Sequence, residues 1–288
     1  TDDDFSKDLD NILWHSDEPF GVPASLGIFY LAKLAYQENN KVVLTGDGGD
    51  EVFGGYDGFI SKNSYTNNYI KFVYKLVTNV IKSSKSIRNN YISNLYYKLS
   101  KRIHSKGHYI SENQVYVYGG HILEIFNDDF VFESIDAWNK RLYPYYYSSI
   151  EKGEIKKRMF AEMKTRLVDE MLTKTDRMTM AHSIEARVPF LDDKLIEYIS
   201  PLPSNLKFYE NEGTIIKKFL LKKSVEDILP NEILNRKKVG FHLPVKDWMD
   251  PQSMFDHFVE KILDGKSLKN GLLNEKRLIK IIDMHKNR

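Results

Sequence analysis

The stretch KVVLTGDGGDEVFGGY, Lys41 to Tyr56, limits the possible fold more than any other part of this chain. Val42, Val43 and Leu44 form a short apolar run between Asn39-Asn40 and Gly46, which reads as a buried strand of the parallel type. A loop with five glycines, three acids and no base follows directly. Such a loop is either a glycine-rich turn that ends the strand or a device for phosphates. In the second case bare backbone approaches an anion closely and a carboxylate brings a divalent cation to it. Upstream, PASLGIFYLAKLAYQE reads as a helix with Pro23 near its first turn and Leu26, Tyr30 and Leu34 along one side. Helix, short linker, strand and glycine loop make half of a doubly wound α/β unit, whose ligands sit beyond the carboxyl ends of the strands.

The remaining pattern is mostly helical. Phe5, Leu9, Ile12 and Leu13 recur at helical spacing and stop before Pro19. Ile70, Val73, Val77 and Ile81 keep the same register, and Ile155, Met159, Met163, Leu167 and Met171 recur every fourth residue, a methionine stripe that reads as core. GTIIKKFLLKKSVEDILP reads as a helix capped by Thr214 and ended by Pro230. The expected fold class is therefore α/β, predominantly helical. One strong strand cannot form a sheet alone. The chain opens on Thr1 with no initiator Met, so it reads as a piece of a longer protein whose first strands precede it.

The 288 residues suffice for one large domain with a real core, and no apolar run approaches the ~18 residues of a membrane helix. The absence of cysteine fits a cytoplasmic setting and excludes a thiol nucleophile, a disulfide framework and thiolate zinc sites. The net charge of +2 conceals a block: Gly58 to Ser111 holds ten Lys/Arg and no acid. A block of this kind could meet RNA, anionic lipid or a protein, but more often it is the solvated face of surface helices, and nucleic acid is not the expected partner. His104 and His108 flank Gly107 without the H-E-x-x-H pattern of a zinc site and read as surface residues.

The glycine loop is not a Walker A motif, because no G-x-x-x-x-G-K-[ST] occurs, and it is not a dinucleotide fingerprint, because Glu51 stands where the third glycine belongs. Asp47 and Asp50, three residues apart at a strand end, make sense beside a polyphosphate only with a cation between them. Magnesium held by one or two carboxylates plus phosphate oxygens fits.

LTGDGGDEVFGGY, followed by DRMTMAHSIEARVPFLD and then NRKKVGFHLPVKDW, resembles the synthetase domain of the glutamine-hydrolysing asparagine synthetases. The likeness runs from about Phe5 to Trp248, loosely between Gly58 and Ile150. It implies an ATP pyrophosphatase fold of the adenine nucleotide alpha hydrolase-like type, lacking its first strands. Residues 1–288 would form one partial synthetase domain, with 58–150 as a helical, basic insertion. In the family ATP adenylates the side-chain carboxylate of aspartate, pyrophosphate leaves, and ammonia from glutamine displaces AMP to give the amide. By resemblance, Thr45, Gly46 and Gly48 would lie against the nucleotide and Asp50 would hold magnesium. Asp47 stands where many members carry the Glu tied to amine attack, one methylene shorter, and Lys238 matches the lysine on the leaving pyrophosphate. Asp176, Arg177, Glu185 and Arg187 would form a charged network that sets the returning loop.

The S-G-G-x-D-S loop and the glutaminase domain with its cysteine nucleophile are missing from this chain. The resemblance therefore implies a glutaminase domain in the intact protein and an inactive chain when taken alone. Asp17-Glu18-Pro19 matches a region near the substrate, where Gly21, Val22 and Ala24 lack the polar groups of some asparagine-making members. Relatives that close β-lactams or cyclise peptides on another carboxylate stay open as an alternative. So do a non-catalytic scaffold with this fold and a synthetase of the NAD or GMP type.

Overall fold

The structure is a computed structural model that describes residues 2–18, 24–60, 125–127, 144–147, 153–237, 259–260, 262–263 and 265–286, with a few helical positions between 73 and 141. Lys238, His104, His108 and most of the basic block lie outside the described residues. The chain divides into two compact units. One comprises Asp10–Ser61 and Pro144–Leu243, the other Thr1–Leu9, Lys62–Tyr143 and Pro244–Arg288.

Helix α1 spans Asp2–Ser16 and α2 spans Ala24–Gln37. Helix α2 ends because Asn39 turns left-handed at φ 60°. There the Asn39 N–H donates to Tyr36 O and the Asn40 N–H to Ala35 O, both at 3.0 Å, the paired bonds of a Schellman stop. That stop releases the chain into β1, Val42–Leu44. Helices α3 (Gly49–Phe53) and α4 (Asp57–Ile60) follow the loop. After residue 153 come α5 (Glu154–Lys164), a π-helical segment Leu167–Leu172 and α6 (Thr173–Met180). Strand β2, Glu185–Arg187, pairs parallel with β1 in the register Val42↔Glu185, Val43↔Ala186, Leu44↔Arg187. A 3₁₀ turn at Pro189–Leu191 leads into α7, Asp193–Ile199, where Asp192 caps the Leu195 N–H at 3.1 Å.

Strands β3 (Phe208–Asn211) and β4 (Thr214–Lys217) form an antiparallel hairpin, followed by α8 (Phe219–Ser224) and α9 (Asn231–Leu234). In the other unit α10 (Lys266–Lys269) and α11 (Glu275–Lys286) are described, and Val259, Leu278 and Ile282 form a core cluster there. In the first unit Ile12, Phe29 and Met178 join α1, α2 and α6, while Val52, Phe53 and Ile199 join α3 and α7. Met159 and Leu167 of the methionine stripe are buried as expected, and Met163 packs against the α3–α7 cluster.

Several expectations are corrected. Thr214 caps no helix: Glu212 and Gly213 both take positive φ, the two-residue turn that matches hairpin twist, and residues 214–217 become β4. Strand β1 is parallel but not buried, since Leu44 is 73% exposed. Helix α2 buries Ser25, Gly27, Phe29 and Ala32; Leu26 and Tyr30 pack against that core as expected, but Leu34 is exposed. Strand β2 has no apolar run to announce it: Glu185 and Arg187 are polar and exposed, and hydrogen bonds to β1 define the strand.

Candidate functional site

The loop after β1 is held in place from both sides. The Thr45 N–H donates to Arg187 O at 2.9 Å, which continues the β1–β2 ladder into the loop. The Thr45 and Thr175 hydroxyls both donate to Oδ2 of Asp47, at 3.0 and 2.9 Å. Thr175 lies on α6, so a helix 128 residues away in sequence fixes the carboxylate of the loop. Two hydroxyl donors on one oxygen fix the orientation of the carboxylate.

Four of the five loop glycines have a close neighbour where a Cβ would sit. At Gly48, φ is +84° and a Cβ would stand 2.2 Å from the Leu191 side chain; at Gly49 it would meet the Phe190 ring at 3.1 Å. The 3₁₀ turn of the EARVPFLD motif thus presses its Phe and Leu onto the loop, which gives a physical reason for the two motifs to occur together. A Cβ on Gly54 would stand 2.5 Å from the Phe208 ring, and one on Gly55 would be 1.6 Å from Oδ1 of Asp50. Gly46 has open space where a Cβ would sit. Among the expected nucleotide contacts, Gly46 therefore faces room for a ligand and Gly48 faces Leu191.

An open cavity of about 480 Å³ adjoins the loop. Ile28, Leu31 and Ala32 of α2, Val43 and Leu44 of β1, Thr45 and Asp47 of the loop, and Thr175 and Thr179 of α6 line it. Apolar walls with a few convergent polar groups are what a flat heteroaromatic ligand requires. The cavity lies at the carboxyl end of β1, as expected for an α/β unit.

Behind the loop is a cluster of buried charge that the sequence did not announce. Glu51 is fully buried and accepts a 2.8 Å hydrogen bond from the Tyr56 hydroxyl; burial pushes both groups' pKa values up. The Arg166 guanidinium stands over the Tyr56 ring at 5.5 Å and donates to Oε1 of Glu162 at 3.0 Å. Its Nε lies 3.6 Å from Glu170, an ion pair too long for a hydrogen bond. Glu162 is fully buried, and burial raises its pKa to about 7 against the pull of Arg166. Lys174, also buried, is pushed down by desolvation, while Glu170 and Asp47 act against that shift. The π-helical segment carries Glu170 and Met171 into this cluster, where Met171 Sδ lies 3.7 Å from the Tyr56 hydroxyl.

The charged network expected from Asp176, Arg177, Glu185 and Arg187 resolves into two separate pairings. Arg177 donates to Ser16 O and pairs with Glu18 at 3.4 Å and Asp17 at 3.8 Å, tying the end of α1 to α6. Arg187 pairs with Glu185 at 2.8 Å on the surface. The loop therefore brings Thr45 and Asp47 to the cavity. Asp50 sits on the other flank against Lys218 at 2.9 Å.

The described residues contain no group of three or more His, Asp or Glu side chains able to cage a metal. Asp50 offers one part-exposed carboxylate. That donor set suits magnesium, which keeps waters and takes most of its ligands from phosphate.

The family model described as asparagine synthase matches residues 1–288. The "Asparagine synthetase [glutamine-hydrolyzing] 1" of Bacillus subtilis is 27% identical over 98% of this chain and 43% of its own length. A "Putative asparagine synthetase [glutamine-hydrolyzing]" of Mycobacterium tuberculosis is 27% identical over 99% of this chain and 42% of its own. "Amidase chry2" of Gibberella zeae is 26% identical over 83% and 37%. No solved structure matches. The chain spans less than half the length of these relatives, and over all of its 288 residues it belongs to the asparagine synthase family.

Proposed function

We propose that this chain is the larger part of an ATP-dependent amide-forming site with an ATP pyrophosphatase fold, acting on aspartate in a longer cytoplasmic protein that takes ammonia from glutamine. One observation carries the reading: Thr45 and Thr175 pin the Asp47 carboxylate at the rim of an apolar cavity at the end of a parallel strand. In this reading the adenine occupies the cavity beside Gly46. A carboxylate oxygen of the substrate attacks the α-phosphorus, and the bond to the β-phosphate breaks with its electron pair leaving on pyrophosphate. Ammonia then attacks the acyl carbon, and AMP leaves.

The chain's own residues would act at three points. Both hydroxyl donors fall on Oδ2 of Asp47, so Oδ1 is the acceptor offered to an N–H of the attacking amine, and that oxygen can take its proton. Lys238 would carry positive charge to the departing pyrophosphate, where a fixed ammonium is worth most as charge develops. Asp50 would hold magnesium, which when bound neutralises the phosphate oxygens.

Aspartate-dependent ATP–pyrophosphate exchange by the intact protein tests the reading. Exchange is expected in the native protein, with a loss of at least 100-fold in Lys238→Ala at unchanged circular dichroism. Undiminished exchange in that variant removes Lys238 from the reaction, and no exchange with any carboxylate overturns the reading. A different carboxylate is the second reading, favoured by the likeness to proteins named as amidases. Exchange that depends on a carboxylate other than aspartate would establish it.

A further inference from the structure

Two consecutive lysines at the end of β4 are both directed at the glycine loop and the helix after it. Lys217 Nζ lies 2.9 Å from each carboxylate oxygen of Asp57, and Lys218 Nζ lies 2.9 Å from Oδ1 of Asp50. Neighbours on a strand normally point to opposite faces. Here Lys218 leaves the strand in a left-handed conformation, φ 52° and ψ 36°, which is unfavourable for a residue with a side chain. Its N–H donates to Gly54 O at 3.2 Å. The bare backbone of Gly55 is the floor beneath the pair: a Cβ there would stand 1.6 Å from Oδ1 of Asp50 and 2.7 Å from Cε of Lys218.

Joining β4 to the loop does not require this ion pair. The Lys217–Asp57 pair and the Lys218–Gly54 backbone bond already make that connection. What the pair adds is charge balance. It is more enclosed than the Lys217 pair, with side-chain exposures of 29% and 19%. The pair brings a positive charge to the Asp50 carboxylate next to buried Glu51.

We propose that Lys218 is the resident counter-ion of Asp50, displaced from the carboxylate when a divalent cation binds. It is therefore a positioning residue that sets how tightly the loop takes its metal. The proposal rests on the reading of Asp50 as the metal ligand. Two cations cannot share one carboxylate oxygen without repulsion, so metal affinity is lowered by the strength of the pair.

Mn²⁺ serves as the probe, with the free ion measured by electron paramagnetic resonance at low ionic strength in the full chain. Lys218→Met keeps the stem and removes the charge, and its Mn²⁺ Kd is expected to fall about five- to tenfold. Lys217→Met loses the same net charge nearby, and its Kd is expected to stay within about twofold. Asp50→Asn is expected to abolish binding. Equal affinity in Lys218→Met and native protein, or equal tightening in both lysine variants, overturns the role of Lys218. Unchanged binding in Asp50→Asn overturns Asp50 as the ligand, and no binding by any form overturns both. Acetylation of the native protein, read by peptide mass spectrometry, decides the matter if Lys218→Met does not fold. Mn²⁺ is expected to raise labelling of Lys218 several-fold and leave Lys217 unchanged. Labelling of Lys218 that is insensitive to Mn²⁺ overturns the proposal.

Discussion

Gly48 meets two requirements at once, a left-handed backbone at φ +84° and a Leu191 side chain where a Cβ would sit. Gly48→Ala is expected to cost about 2–4 kcal/mol, from the left-handed strain and from overpacking. Leu191→Ala in the same chain should recover part of that cost, because the clash is with the flexible end of Leu191. Urea unfolding of the single and double variants measures both terms, and additive costs would show that Leu191 is not the obstacle. Glu162 governs a second behaviour at this scale. Burial raises its folded-state pKa from 4.5 to about 7, so between those values the folded chain binds more protons than the unfolded one. Its contribution to stability is full below pH 4.5 and is lost as pH rises towards 7, with a slope of at most about 1.4 kcal/mol per pH unit. Glu162→Gln should flatten the pH dependence of the urea midpoint between pH 5 and 7. An unchanged slope would assign that titration to another group, with Glu51 and Glu170 the nearest candidates because burial raises both.

At the scale of elements, α6 connects the helical layer to the loop. Thr175 and Thr179 stand one turn apart on it and face the cavity, and the Thr179 hydroxyl bonds back to Thr175 O at 2.9 Å. Thr175→Val keeps the shape and removes one of the two donors on Asp47. It is expected to cost about 1 kcal/mol of stability and to lower the exchange rate more than Thr179→Val, whereas Thr175→Ser should restore the rate. Equal rates in the two valine variants would separate the Thr175 bond from catalysis. The apolar periods of α1, α2 and α5 were legible in the sequence, and so was the strand-end loop, because glycines and acids cluster there. Thr175 was not legible: nothing local marks a threonine in the middle of a helix as a partner for a carboxylate 128 residues away. The β3–β4 turn was misread because Glu-Gly is a weaker hairpin signal than Asn-Gly, while Lys217 and Lys218 look like helix residues until Gly54 and Asp57 are placed beside them. The π-helical segment keeps the four-residue methionine spacing, so periodicity does not distinguish it from α-helix.

At the scale of the whole molecule, the β1–β2 pair is incompletely covered. Parallel strands in α/β proteins are ordinarily covered on both faces, because strands connected by crossovers acquire helices on each side. Here Val42 and Leu44 of β1 are exposed, as are Leu31 and Leu34 of α2, and Leu31 and Leu44 share the wall of the 480 Å³ cavity. Exposed aliphatic side chains at such an opening are apolar surface of the kind that binds dyes or associates with other chains. The relatives are more than twice as long as this chain, so material that covers such a surface is available to them. The 288-residue chain taken alone is accordingly expected to bind anilinonaphthalene sulfonate and to form larger species as its concentration rises. Leu44→Lys places a charge at the cavity mouth without touching the buried core. It should lower dye fluorescence by about half and shift sedimentation towards the monomer, with far-ultraviolet circular dichroism unchanged. If dye binding and association survive that substitution intact, the exposed apolar surface responsible lies elsewhere. Ile228 and Ile233, exposed around the start of α9, are then the next residues to change.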